Sequence, residues 1–120
     1  MVTFDNRFHL ITPAAGGGSM VFFSGTVIEA ANATGPDWQR FNITFILDEV
    51  AWSSAPAVAP AVSLAAISTE ADGNNAGWAV DRSNFHFVDG RIQLSCDLAV
   101  RGTSNLLRLT YQVTAIGNIA

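Results

Sequence analysis

Apolar and polar residues alternate with a period of two along most of this chain, and this alternation limits the folds open to it more than any other feature. From Ile92 to Val100, and again from Leu107 to Val113, apolar residues stand at every second position. Successive side chains of a β-strand point to opposite faces of a sheet, so such runs indicate strands with one buried face. No run combines apolar spacings of three and four residues with helix caps. The sequence therefore predicts an all-β protein.

Turn residues divide the alternating runs into seven or eight predicted strands. Asp89-Gly90 is the clearest hairpin signal, because this dipeptide suits the two-residue turns that join antiparallel strands. The runs on either side of it and the run from Leu107 are predicted to form a meander of three consecutive strands. The last two should form a hairpin over residues 92–116. Its predicted inward side chains are Ile92, Leu94, Leu98, Leu107, Leu109 and Val113.

The first half of the chain is predicted from the same spacing. Gly25 interrupts a second strand and indicates a bulge or the close approach of a neighbour. Residues 53–62 contain two prolines and are predicted to form an extended connection between strands. The first strand is predicted to bury one face made of Val2, Phe4, Phe8 and Leu10.

Antiparallel strands without crossover helices favour two packed sheets over a parallel arrangement. The sequence therefore predicts an antiparallel β-sandwich of seven or eight strands. A small closed β-barrel is the alternative, because the spacing does not fix whether the sheet splits or closes. The length of 120 residues is close to the commonest domain size. One β-sandwich domain over residues 1–120 is expected.

Charge is scarce in this chain. Charged residues make up only 13% of it, whereas an average soluble domain contains about 25%. All six positive charges are Arg, and Lys, which commonly keeps exposed strand edges from pairing, is absent. We therefore predict that the acidic protein forms a homo-oligomer, with the N-terminal strand and the tail 115–120 as contacts. A net charge of −4 without a cluster of Arg argues against nucleic acid as a partner.

Residues suited to catalysis or metal binding are few. His9 and His86 lie within predicted strands, where neither is placed to activate a nucleophile, and Cys96 lies in an apolar run that predicts a buried thiol. The chain is therefore predicted to be neither an enzyme nor a zinc protein, and no cofactor is expected. It shows no signal peptide and no apolar stretch of bilayer length, so a soluble protein without a membrane span is expected. Its cellular location is not indicated.

Residues that could bind a ligand concentrate in the stretch EADGNNAGW, residues 70–78. Saccharides stack their C–H faces on Trp rings while their hydroxyls bond to carboxylates and amides, and alternating oxygen ligands would also suit calcium. Gly, Asn and Asp equally favour an ordinary turn, and a Trp beside it could simply plug one end of the sandwich. The predicted ligand-binding residues are Asp72, Asn74, Asn75, Trp78, Asp81 and Trp38.

Two functions agree with these features. The first is a non-catalytic, lectin-like module that binds carbohydrate and acts as a homo-oligomer, which multiplies weak sugar sites. The second is a structural subunit of a homomeric assembly such as a ring, tube, fibre or viral surface layer, which would use the apolar surface and the unprotected edges.

Replacing Trp78 with Ala separates a ligand site in the 70–78 stretch from a structural plug. A stacking ring contributes to the ligand, so glycan binding should disappear while the melting temperature holds. A buried plug contributes to the core, so its loss should cost about 3–5 kcal/mol of unfolding free energy. A glycan array on the parent chain and thermal melts of both proteins measure the two outcomes. A silent array together with a large loss of stability would reject the site.

Overall fold

Strands account for the regular structure of the chain in the computed structural model, which describes residues 2–33, 37–69, 77–101 and 104–120. Side chains are described for these residues except 30–33, 60–69, 77, 78 and 104–107. Within them, no helix is long and apolar enough to cross a membrane. The seven strands are β1 (Thr3–Pro13), β2 (Ser19–Ala33), β3 (Gln39–Leu47), β4 (Ala57–Thr69), β5 (Gly77–Val88), β6 (Arg91–Arg101) and β7 (Ser104–Gly117).

The strands form two antiparallel sheets that stack face to face. One sheet has four strands in the order β1-β2-β7-β4, and the other has three in the order β3-β6-β5. The sheets remain open, so the predicted β-sandwich is confirmed and the closed barrel is wrong. The longest strand has fifteen residues. At about 3.4 Å per residue this strand is about 51 Å long, which matches the 53 Å long axis of the molecule.

The core lies between the two sheets, and much of it comes from β6 and β7, each of which has a neighbouring strand on both sides. The predicted inward residues Ile92, Leu94, Leu98, Leu109 and Val113 are all fully buried, whereas the side chain of Leu107 lies outside the described part. The β5–β6 hairpin at Asp89-Gly90 is confirmed. The predicted hairpin over residues 92–116 is wrong, because β6 pairs with β3 and β5 while β7 pairs with β2 and β4. The apolar rows of β6 and β7 therefore belong to different sheets and face each other across the core, so the two strands are not neighbours in one sheet.

A β-bulge in β1 exchanges the inward and outward sides predicted for the residues after Asp5. The register shifts between Phe4 and Asn6, so Asp5 is an extra residue in this strand. One extra residue exchanges the two faces of every position beyond it. Phe4 consequently packs against the core, while Phe8 and Leu10 turn outward and are 54% and 53% exposed. The prediction that these three side chains share a buried face is wrong.

The segment predicted as an extended connection is mostly a strand. β4 begins at Ala57, and Pro60 pairs with Val113 of β7 within it. Proline cannot donate a ladder hydrogen bond, and strands that contain it are therefore found at sheet edges. β4 occupies such an edge of the four-stranded sheet, so Pro60 does not prevent pairing.

Gly25 marks the close approach of neighbouring groups, as its position in β2 predicts. A methyl group at this position would come within 2.6 Å of both the Asn6 carbonyl oxygen and the Tyr111 hydroxyl. The glycine therefore makes room for the buried tyrosine ring, which also packs against Phe45 with ring centroids 5.1 Å apart.

The two ends of the sandwich differ in how tryptophan is used. Trp52 is buried, its backbone N–H donates to the Gly90 carbonyl over 2.7 Å, and it forms a bridge to Ile119. It therefore plugs the end that carries the Asp89-Gly90 turn. Trp38, near the opposite end of the three-stranded sheet, is 51% exposed and does not serve as a plug.

Replacing Leu94 with Ala should lower the free energy of unfolding by about 2–5 kcal/mol, because this side chain is fully buried at the centre of β6. Urea denaturation measures the change. Ile46→Ala is the matched control, since Ile46 lies on the neighbouring strand β3 with its side chain exposed, and it should cost about 0.5 kcal/mol or less. Equal losses at both positions would contradict the assignment of the buried face.

Stability should also fall in alkaline solution. Burial raises the pKa of the Tyr111 phenol from 10.0 to about 12 and that of the Cys96 thiol from 9.0 to about 11. The folded chain thus favours the neutral groups, so their contribution is complete below about pH 9 and is lost as the pH rises through 11 and 12. Denaturation series up to pH 12 should show a shallower decline for a Tyr111→Phe/Cys96→Ala variant. An unchanged slope would contradict this cause.

Candidate functional site

The outer face of the three-stranded sheet carries a continuous set of polar side chains. Two β3 residues there, Asn42 and Thr44, each stand opposite a polar residue of β6, which in turn stands opposite a polar residue of β5. Two such rows cross the sheet, because cross-strand partners always share a face. They are Asn42–Asp97–Arg82 and Thr44–Ser95–Asn84.

Hydrogen bonds fix the positions of these polar groups. The Asn42 side-chain amide donates to Asp97 Oδ1 and to Ser95 Oγ, each over 2.9 Å. The Thr44 hydroxyl donates to Asn42 Oδ1 over 2.6 Å. Both ends of the amide are therefore engaged, and the Asp97 carboxylate is held in one orientation while keeping further acceptor capacity.

A second bulge brings charged groups to this face. The register of β5 against β6 shifts between Val80 and Arg82, so Asp81 is the extra residue. A bulge re-aims side chains locally, and here the consecutive residues Asp81 and Arg82 border the same cleft. Asp81 forms an ion pair with Arg40 across the face. The cleft has a volume of about 580 Å³ and is lined by Arg40, Phe41, Asn42, Asp81, Arg82 and Asp97.

Trp38 borders a smaller neighbouring cleft of about 270 Å³, together with the Arg40–Asp81 pair. Ala79 and Ala99, which are paired across β5 and β6, also line it, and their small side chains leave space beside the indole. The Arg101 guanidinium lies 4.8 Å from the Trp38 ring centroid, a cation–π contact that restrains the ring. An exposed aromatic surface thus stands beside fixed charges and hydrogen-bonding groups.

The structure brings together two of the six residues predicted to bind a ligand. Trp38 and Asp81 line the smaller cleft, although 43 residues separate them in the sequence. The backbone of Trp78, in β5, pairs with Val100 of β6, but the Trp78 side chain lies outside the described part. Asp72, Asn74 and Asn75 also lie outside the described residues. The assignments to these four residues, and calcium binding in the same stretch, stay predictions.

Sequence reasoning missed Arg40, Asn42, Arg82 and Asp97. Their alternation marks them as outward residues of strands. The pairing of β3 with β6, however, brings Asn42 to Asp97 from 55 positions away, and such pairing has no local signal. The bulge at Asp81, in contrast, can be recognised in the sequence. Apolar residues occupy even positions at Trp78 and Val80 and odd positions at Phe85 and Phe87, and such a change of phase indicates one extra residue.

The chemistry of the face suits binding. Its two carboxylates are held by Arg40 and by Asn42, so both are arranged as hydrogen-bond acceptors. Within the part of the chain that the structure describes, no three His, Cys, Asp or Glu side chains are grouped to hold a metal ion. His86 is exposed on β5 outside the residues that line either cleft.

No protein family, curated protein or solved structure matches this chain.

Proposed function

We propose that this protein is a non-catalytic carbohydrate-binding module that holds its ligand on the outer face of the three-stranded sheet. The observation that supports this most directly is the half-exposed ring of Trp38 beside the Arg40–Asp81 ion pair. A saccharide presents an apolar C–H face and a rim of hydroxyls. The Trp38 ring is complementary to the apolar face, and the Arg40–Asp81 pair is complementary to the hydroxyls.

Each part of the face has a role in such a complex. The Trp38 ring stacks on one sugar, and the edge of that sugar fits into the space above Ala79 and Ala99. Hydroxyl groups donate to the Asp81 and Asp97 carboxylates and accept from the Arg40 guanidinium. Because the charged groups are already held by protein partners, they lose little side-chain freedom when the ligand arrives.

The size of the clefts favours an oligosaccharide. The larger cleft, about 580 Å³, lies within the range of small-molecule sites and shares Arg40 and Asp81 with the smaller cleft at Trp38. Adjacent sugars of one chain would then occupy the two clefts, with one stacked on Trp38 and the next among Asn42, Arg82 and Asp97.

A second function, that of a structural subunit in a homomeric assembly, is favoured by a different observation. The outer face of the four-stranded sheet exposes large apolar side chains from three adjacent strands, including Leu10, Met20 and Ile116. Such a face is suited to another protein surface more than to water.

Trp38→Ala tests the carbohydrate proposal. Loss of the stacking ring should weaken binding of an array-identified oligosaccharide about tenfold or more, as an aromatic contact of about 1.4 kcal/mol would require. The melting temperature should change little, because the ring is half-exposed. Isothermal titration calorimetry measures the affinity.

Phe85→Ala is the matched control for this variant. Phe85 is a partly exposed aromatic residue on the other face of the same sheet, opposite Leu94, and it lines neither cleft. Its removal should therefore leave the affinity unchanged. A parent protein that binds no glycan on the array, or a Trp38→Ala variant that binds as tightly as the parent, would contradict the proposal.

A further inference from the structure

One half of the outer face of the four-stranded sheet is apolar, and the strand register shows how its side chains are arranged. Leu10 of β1, Phe22 of β2, Thr114 of β7 and Ala59 of β4 form one row across the sheet. The next row contains Thr12, Met20, Ile116 and Ala57. We call the large apolar residues of this region the apolar patch: Phe8, Leu10, Met20, Phe22 and Ile116.

Side-chain size differs between the two rows. In the first row it falls from Leu10 and Phe22 on β1 and β2 to Thr114 and Ala59 on β7 and β4, whereas in the second the large side chains Met20 and Ile116 stand on the two central strands. Along the first row the face is therefore raised on the β1 side and hollow on the β4 side. A two-fold axis parallel to the strands, between β2 and β7, would lay the raised side of one copy over the hollow side of another.

We propose that this face is a dimer interface, in which the four-stranded sheets of two copies pack on each other about such an axis. Leu10 then lies over Ala59 of the second copy, and Phe22 lies over Thr114 of the second copy. Aligned sheets pack about 10 Å apart in this way when large and small side chains interdigitate. This inference rests on the assembly function and is independent of carbohydrate binding, which would occur on the opposite face.

The whole face, its polar half included, is large enough for a stable dimer. Four strands about 4.8 Å apart and about 13 residues long, at about 3.4 Å per residue, give it a footprint of roughly 800 Å², of which about half is apolar. That is the area each partner buries in an interface of standard size. Phe8, Leu10 and Ile116, which are 54%, 53% and 45% exposed, would supply its apolar centre.

The charges favour a second copy over other occupants. None of the side chains in the two rows that contain Leu10 and Met20 is charged, and the Asp5–Arg108 ion pair of the same face, at 3.0 Å, is already satisfied. An anionic membrane surface would require Lys or Arg around the patch, whereas this chain has a net charge of −4 and no Lys. A surface that is apolar and complementary to itself is suited to a second copy.

Sedimentation of the full chain with four single variants tests the interface. The parent protein should sediment at twice its 12.7 kDa mass at micromolar concentration. Leu10→Lys and Ile116→Lys each place two unpaired charges in the dimer, and each should raise its dissociation constant about a hundredfold or more. Both positions are exposed in the single chain, so circular dichroism should show an unchanged fold.

Two matched controls locate the contact. Ile46→Lys alters another exposed aliphatic side chain, on the three-stranded sheet, and it should leave the dimer intact. Ile11→Lys alters the inward side of the same edge strand β1, where it would block edge-to-edge pairing of strands but not packing of outer faces. It should also leave the dimer intact.

The outcomes separate this interface from the assembly function itself. A parent protein that sediments as a monomer at the highest soluble concentration would overturn both. An oligomer that survives Leu10→Lys and Ile116→Lys, or one that Ile46→Lys or Ile11→Lys breaks, would overturn the proposed interface and leave self-assembly standing.

Discussion

The apolar core that β6 and β7 share is the constraint on which the rest of this structure depends. Each of these strands has neighbours on both sides, and its row of described inward side chains is buried in that core. Burial of such rows is the main favourable term in folding, at about 25 cal/mol for each square ångström of apolar surface. The two rows therefore have to meet across the core, and β1 to β5 are arranged around them.

Two bulges decide what the outer faces of this sandwich expose. At Asp5 one extra residue turns Phe8 and Leu10 away from the core, which makes half of the four-stranded face apolar. At Asp81 another extra residue brings a carboxylate and Arg82 to the same cleft on the three-stranded sheet. Bulges commonly re-aim side chains near functional sites, and both surfaces for which we propose a role adjoin one.

The two proposed surfaces lie on opposite sides of the sandwich and differ in chemistry. The polar face offers an aromatic ring for stacking at Trp38 and hydrogen-bonding groups at Arg40 and Asp81. The apolar patch offers exposed hydrophobic surface. Packing the four-stranded sheets of two copies together would leave both polar faces on the outside, directed away from each other. Such a dimer could join two saccharide chains, or gain avidity on a surface that displays many of them.

The sequence by itself determined that this chain is built of antiparallel strands, where most of them lie, and which residues of β6 and β7 are buried, because alternation within a strand is a local property. It also predicted Trp38 and Asp81 as ligand-binding residues, and the structure places both beside one cleft. The sequence could not show that β6 and β7 belong to different sheets. A strand has one apolar face whether its partner lies beside it in the same sheet or across the core in the other sheet.

Only the tertiary structure placed β3 beside β6, and so joined Asn42 to Asp97 and Arg40 to Asp81, because these pairs depend on contacts between distant segments. The same holds for the outward turn of Phe8 and Leu10, since the bulge at Asp5 is set by pairing with β2 and leaves the spacing of apolar residues in β1 unchanged.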